Sequence, residues 1–127
     1  MKKNNNWFEF AKEDLIVARA SLEQLVYNQV CFHAQQGVEK MLKGFLAVKD
    51  KDIPRIHSIG GLLKLCAEIE PRFNKLVDTC IKLDDYYIPT RYPDALPGVL
   101  PEGMPSEDDA KEAISALEKV MDFIKKA

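Results

Sequence analysis

The densest chemistry in this sequence lies in one short run, Asp84-Asp85-Tyr86-Tyr87-Ile88-Pro89-Thr90-Arg91-Tyr92-Pro93-Asp94. It sets one arginine among three tyrosines and three aspartates. The planar fork of Arg91 suits a phosphate, which it can grip through parallel charge-assisted hydrogen bonds. Tyr86, Tyr87 or Tyr92 could stack on a nucleobase, a contact worth ~1–3 kcal/mol. The same residues also admit a structural arrangement, in which Arg91 pairs with Asp84, Asp85 or Asp94 and pins the loop. His57, just after Arg55, is a second candidate because imidazole titrates near neutrality. Its structural alternative is a histidine that anchors its loop by a hydrogen bond.

Other chemistries find no support in the residue pattern. Cys31 and His33 stand two apart on an expected helix and diverge, whereas helical ligand pairs favour spacings of three or four, so no metal site is expected. Gly60-Gly61 lacks the frame of a phosphate-binding P-loop. No Gly-x-Ser-x-Gly elbow is present. Asp84-Asp85 and Asp108-Asp109 read as carboxylates that solvate a helix surface or end. No cofactor is expected and no residue is assigned a catalytic role.

The elements that must carry these residues read as helices. Trp7, Ala11, Leu15, Ala18, Leu22 and Leu25 step by three or four, one face of a helix over about 7–26. Asn4, Asn5 and Asn6 are candidate N-caps, and Tyr27-Asn28 is the expected break. Cys31, Ala34, Val38, Met41, Phe45 and Val48, widened by Leu42 and Leu46, predict a central helix over about 29–49. Gly37 and Gly44 fall on one face of it, and each costs about 1 kcal/mol of helix propensity relative to alanine. Close approach of a neighbouring helix explains them without a ligand. Pro54 ends that helix. Ser58 is a candidate cap for a shorter helix through Leu62, Leu65, Cys66 and Ile69. Pro71 suits the first position of the next, with Phe73, Leu76, Val77, Cys80 and Leu83 on one face.

From about residue 88 to 105, prolines recur every four residues and exclude a regular helix. A long stretch of this kind is either functional or a strap over the surface. Ser106 with Asp109 then forms a capping-box-like start. Glu107, Asp108 and Asp109 at one end and Lys125 and Lys126 at the other complement the dipole of a last helix. No segment alternates like a strand. The expected fold is all-α, an up-and-down antiparallel bundle of four or five helices, in one domain over 1–127.

Composition agrees with a globular chain: 127 residues, 46% hydrophobic and 30% charged, net charge −2. That charge gives no general attraction to nucleic acid. No apolar run approaches the ~20 residues of a spanning helix, and the start lacks the apolar core of a signal peptide. Cys31, Cys66 and Cys80 are odd in number and widely spaced, as expected of reduced thiols in a cytoplasmic protein.

Several of these residues together resemble the HEPN family, the higher eukaryotes and prokaryotes nucleotide-binding domains. Trp7 is followed by Ala11, Asp14-Leu15 and Ala18. Phe32-His33-Ala34-Gln35-Gln36-Gly37-Val38-Glu39-Lys40, then Leu42-Lys43, resembles the family's glutamine-glutamine, glutamate-lysine signature. His57 with Leu62-Leu63 resembles the opening of its third helix. Leu83 to Ala95, with Tyr-Tyr-Ile-Pro and Arg-Tyr-Pro-Asp, is the most specific match.

The resemblance implies a helical bundle that commonly dimerises and often works with a small nucleotidyltransferase, as in toxin–antitoxin pairs. It also implies, for many members, a metal-independent ribonuclease whose site is an arginine followed roughly four to six residues later by a histidine. This sequence departs from that pattern. Its histidines are His33 and His57, and after Arg91 come Ala95, Leu96, Pro97 and Gly98 instead.

The reading that follows is a non-catalytic module for a nucleotide or phosphate ligand, with RNA as a further candidate. Arg91, Tyr92, Asp94, Tyr86 and Tyr87 would form its ligand rim. Gln36, Glu39, Lys40, Lys43 and His57 would be added from the second helix and the loop after it. The expected partners are a second copy of the chain and a small nucleotidyltransferase, with no membrane. Two alternatives remain: a ribonuclease or toxin with a rearranged His57/Arg91 site, and a purely structural oligomeric adaptor.

Overall fold

The computed structural model describes residues 6–86 and 104–127. The described residues form five α-helices: α1 Asn6–Glu23, α2 Tyr27–Val48, α3 Ile59–Ile69, α4 Val77–Cys80 and α5 Glu107–Lys126. Two 3₁₀ segments, Pro71–Leu76 and Ile81–Tyr86, flank α4. The described residues contain no strand, so the all-helical bundle expected from the periodicity is what forms. None of these helices is long and apolar enough to cross a membrane.

The bundle is organised around α2. Its buried residues spread almost all round the helix from Val30 to Leu46, as a central element requires. α1 packs antiparallel on it, with Trp7 and Phe8 at the level of Gly44 and Asp14 between His33 and Lys40. The two α2 glycines are close-approach positions. A Cβ on Gly37 would lie 2.7 Å from Leu117 Cδ2 of α5, and one on Gly44 would lie 2.5 Å from Phe8 Cε1 of α1. Each therefore admits a different neighbour. The core closes with Phe45 edge-on to Phe73, their centroids 4.7 Å apart, and with Leu42, Leu62, Leu63, Leu83 and Leu117 fully or almost fully buried.

The helix ends follow local chemistry. The break after α1 falls at Gln24–Val26, earlier than the Tyr27-Asn28 expected from sequence, and Tyr27 opens α2. The cause is Leu25, which takes the left-handed conformation at φ 62°. It lets Val26 N–H donate to Ser21 O (2.9 Å) and Leu25 N–H to Leu22 O (3.0 Å). That is a Schellman ending with leucine where glycine is usual. Asp50, at φ 58°, closes α2 in the same way, with Lys51 N–H on Leu46 O and Asp50 N–H on Ala47 O, both 3.0 Å.

Pro71 opens a 3₁₀ segment rather than an α-helix. Of the expected apolar series, Phe73, Leu76, Cys80 and Leu83 nonetheless reach the core, and Val77 packs against it partly buried. At the start of α5 the capping box forms in full: Ser106 Oγ accepts from Asp109 N–H (3.1 Å) and Asp109 Oδ2 accepts from Ser106 N–H (3.0 Å). Burial alone would raise the Asp109 carboxyl. The Ser106 amide and the Lys82 ammonium outweigh it and hold the group below its ordinary value.

Candidate functional site

Two polar assemblies converge on α2. In the first, the ten-residue connection after α2 turns back along that helix before α3 begins. Gln35, completely buried, donates from Nε2 to the His57 carbonyl (3.2 Å). One turn along, Glu39 Oε2 accepts from Lys43 Nζ (2.9 Å) and faces His57 Nδ1 (3.0 Å). A carboxylate this close only accepts, so Nδ1 carries a proton and the ring orientation is set. The His57 side chain is 57% exposed, against 7% for each of Glu39 and Lys43. Lys43 also lies over the Trp7 ring, 5.7 Å from its centroid. Glu39 Oε1 is buried and accepts no hydrogen bond from the described residues.

The connection is tied from its other side by Asp84. Its Oδ1 accepts from Ile59 N–H (2.6 Å) and its Oδ2 from Gly60 N–H (3.1 Å), with Ser58 Oγ at 3.4 Å. Ser58 Oγ itself accepts from Gly61 N–H (3.0 Å). The amides at the α3 start are thus satisfied by a side chain 25 residues further on. In consequence, the 3₁₀ segment Ile81–Tyr86 is tied through Asp84 to the α3 start that follows the His57 connection.

The second assembly joins α1 to α2. Asp14, almost wholly buried, faces His33 Nδ1 through Oδ1 (2.9 Å) and accepts from Lys40 Nζ through Oδ2 (2.7 Å). Gln36 donates from Nε2 to Gln35 Oε1 (2.7 Å). With these bonds every polar residue of the Phe32–Lys43 signature is engaged inside the bundle.

A family model described as HEPN domain matches residues 5–127. The chain belongs to the HEPN family. It is 34% identical to TT1696, a protein of Thermus thermophilus. That crystal structure matches with a TM-score of 0.79 over 95% of this chain and 94% of that one. ST0689, described as an archaeal HEPN homologue, is 32% identical, with a TM-score of 0.76 over 99% and 98% of the two chains. A Methanocaldococcus jannaschii protein named "Putative toxin MJ1304" is 29% identical over 124 residues, 91% of this chain and 81% of that one.

Within this HEPN chain the expected site residues divide. Arg91, Tyr92, Asp94 and Tyr87 lie outside the described residues. Tyr86 was expected on the ligand rim, and the structure corrects this: the residue is 1% exposed in the core, and burial pushes its phenol well above the usual range. Glu39 and Lys43 are corrected likewise. Both are buried, and they hold each other and the His57 connection rather than lining a groove. Gln36 and Lys40 are partly exposed but engaged with Gln35 and Asp14. Of the described candidates, His57 alone combines a set orientation with an exposed ring.

Residue-level reading missed the Asp14–His33–Lys40 assembly and the capping role of Asp84. The signal for the first was present: Asp14 interrupts the apolar stripe between Ala11, Leu15 and Ala18. Asp84 carried no local signal, because its partners are distant in sequence. Among the described residues no group of histidine, cysteine and carboxylate side chains could hold a metal ion. Burial raises the thiols of Cys31, Cys66 and Cys80 to about 12, so none is a ready nucleophile.

Proposed function

We infer that this HEPN protein binds a nucleotide or other phosphate-bearing ligand through the Tyr87–Asp94 run, with His57 as a further contact. In this reading Arg91 grips the phosphate, Tyr87 and Tyr92 contact the base, and His57 supplies a second polar contact. The observation that supports it is the Asp84 clamp, which ties a residue three positions before that run in sequence to the α3 start just after His57. The buried signature on α2 is then the scaffold that holds His57, and not part of the ligand surface. Gln36 steadies Gln35 behind it, and Lys40 is engaged with Asp14 of α1.

Calorimetry with nucleoside mono-, di- and triphosphates tests the reading. Arg91→Ala is expected to weaken binding by roughly tenfold or more, the loss of one or two charge-assisted hydrogen bonds. Its melting temperature should stay nearly unchanged. Equal binding by both proteins, or none by either, removes the proposal. A loss of melting temperature in place of binding would favour the structural adaptor.

A ribonuclease reading has one observation in its favour: His57 has an exposed ring held by a carboxylate, the arrangement of a general acid or base. Purified protein incubated with single-stranded and structured RNA decides it. Cleavage abolished by both His57→Ala and Arg91→Ala supports it, and intact RNA at high protein concentration ends it. The name of the Methanocaldococcus relative fits a toxin role of either kind.

A nucleotidyltransferase partner and a second copy of the chain belong to the same reading. For the second copy, the outer face of α1 is the best described surface. There Ile16, Val17, Ala20 and Val26 line a hollow of about 370 Å³ and remain exposed to water.

A further inference from the structure

α1 and α5 run antiparallel and are pinned to each other by Arg19 and Glu118, 2.6 Å apart. Towards the first residues of α1 and the last of α5, a cleft of about 460 Å³ opens between them. Phe8 and Lys12 form one wall, Met121, Ile124 and Lys125 the other, and Met41 of α2 lines its base. The volume falls in the range of small-ligand sites, about 300–1,000 Å³. Six of the described residues line it, and together they span a patch suited to a small molecule, shorter than the stripe an amphipathic helix would occupy. Two of the four apolar residues are methionines, whose unbranched thioethers adapt to the shape of an occupant.

The charge at this cleft is one-sided. Lys12 and Lys125 stand on opposite walls. Glu9 reaches Lys12 only as a solvent-exposed pair at 3.3 Å, and Asp122 is directed to Lys126 at 3.5 Å. Lys125 makes no ion pair among the described residues. An apolar floor between two ammonium groups complements a molecule with an apolar body and an anionic head. We propose that the α1–α5 cleft binds a small amphipathic carboxylate, its chain on Met41, Met121 and Ile124 and its carboxylate between Lys12 and Lys125. The cleft shares no residue with the proposed phosphate site, so each stands or falls alone.

The test uses the full chain labelled at the methionine methyl groups and titrated with decanoate below its micelle concentration. Met41 and Met121 are expected to shift saturably, while the exposed Met104 stays in place. Lys12→Gln/Lys125→Gln should weaken decanoate binding by about tenfold or more with the same melting temperature. Decyltrimethylammonium, of equal chain length and opposite charge, should leave Met41 and Met121 unshifted. The proposal is overturned by any of three outcomes: unmoved Met41 and Met121 signals with decanoate, equal response to the two amphiphiles, or unchanged decanoate affinity in the double variant. If that variant melts lower, the charge-reversed Lys125→Glu alone replaces it, with the same expected loss.

Discussion

At the residue scale, the pairing of Glu39 with Lys43 governs much of what a mutation would do. Two charges this deeply buried are a weak source of net stability, but removing one leaves the other without a partner. Glu39→Ala is therefore expected to lower the unfolding free energy by about 3–5 kcal/mol in urea titration. Glu39→Met/Lys43→Leu together should cost much less, because no lone charge remains. A double variant as unstable as Glu39→Ala would show that the His57 contact, and not the ion pair, is what matters. The candidate site was only half legible at this scale. Type and spacing singled out Arg91, its tyrosines and His57. They could not tell a lysine that lines a groove from Lys43, which is buried against Glu39 and the Trp7 ring, because helical spacing gives the same face in both cases. Tyr86 misled for a related reason: a phenol suited to stacking on a base is equally suited to filling a core.

At the scale of elements, the sequence was most informative where bonding is local. Ser106 and Asp109 lie three apart, and the capping box they imply is present. The α1–α2 break was misplaced because its ending depends on a left-handed leucine, which no propensity favours. Leu25 is exposed, and its conformation costs about 1–2 kcal/mol relative to a residue free of that clash. Leu25→Gly is accordingly expected to stabilise the protein by about 0.5–1 kcal/mol, after the greater freedom of glycine in the unfolded chain. Thermal unfolding checks it, and a destabilised variant would mean that the Leu25 side chain contributes more than its strain removes.

Acid should reveal the α5 cap. The folded value of Asp109 is depressed, so its contribution is present above the unfolded value, near 3.9, and is lost as pH falls through the folded one. Asp109→Asn should flatten the decline in stability over that interval and lower stability at neutral pH. Parallel pH–stability curves for the two proteins would contradict it.

At the scale of the whole molecule, helix number and the central place of α2 followed from periodicity, whereas the return of the α2–α3 connection along α2 did not. That path is set by Gln35, Glu39 and Asp84, contacts that no local pattern encodes. The apolar outer face of α1 offers a prediction at the same scale. Ile16→Glu/Val17→Lys is expected to convert a dimer to a monomer in sedimentation or light scattering, with the helical signal unchanged. A wild-type chain already monomeric at high concentration would refute the assignment of that face.

The seat of α5 has a consequence for how the chain is made. Its leucine at 117 fills the notch left by Gly37, and Glu118 meets Arg19 across 99 residues of sequence. Helices made early thus wait for one translated much later before that notch is filled. A ribosome-bound chain stopped short of Ser106 would display a bare, greasy trough along α2, a natural target for chaperones and for proteolytic quality control.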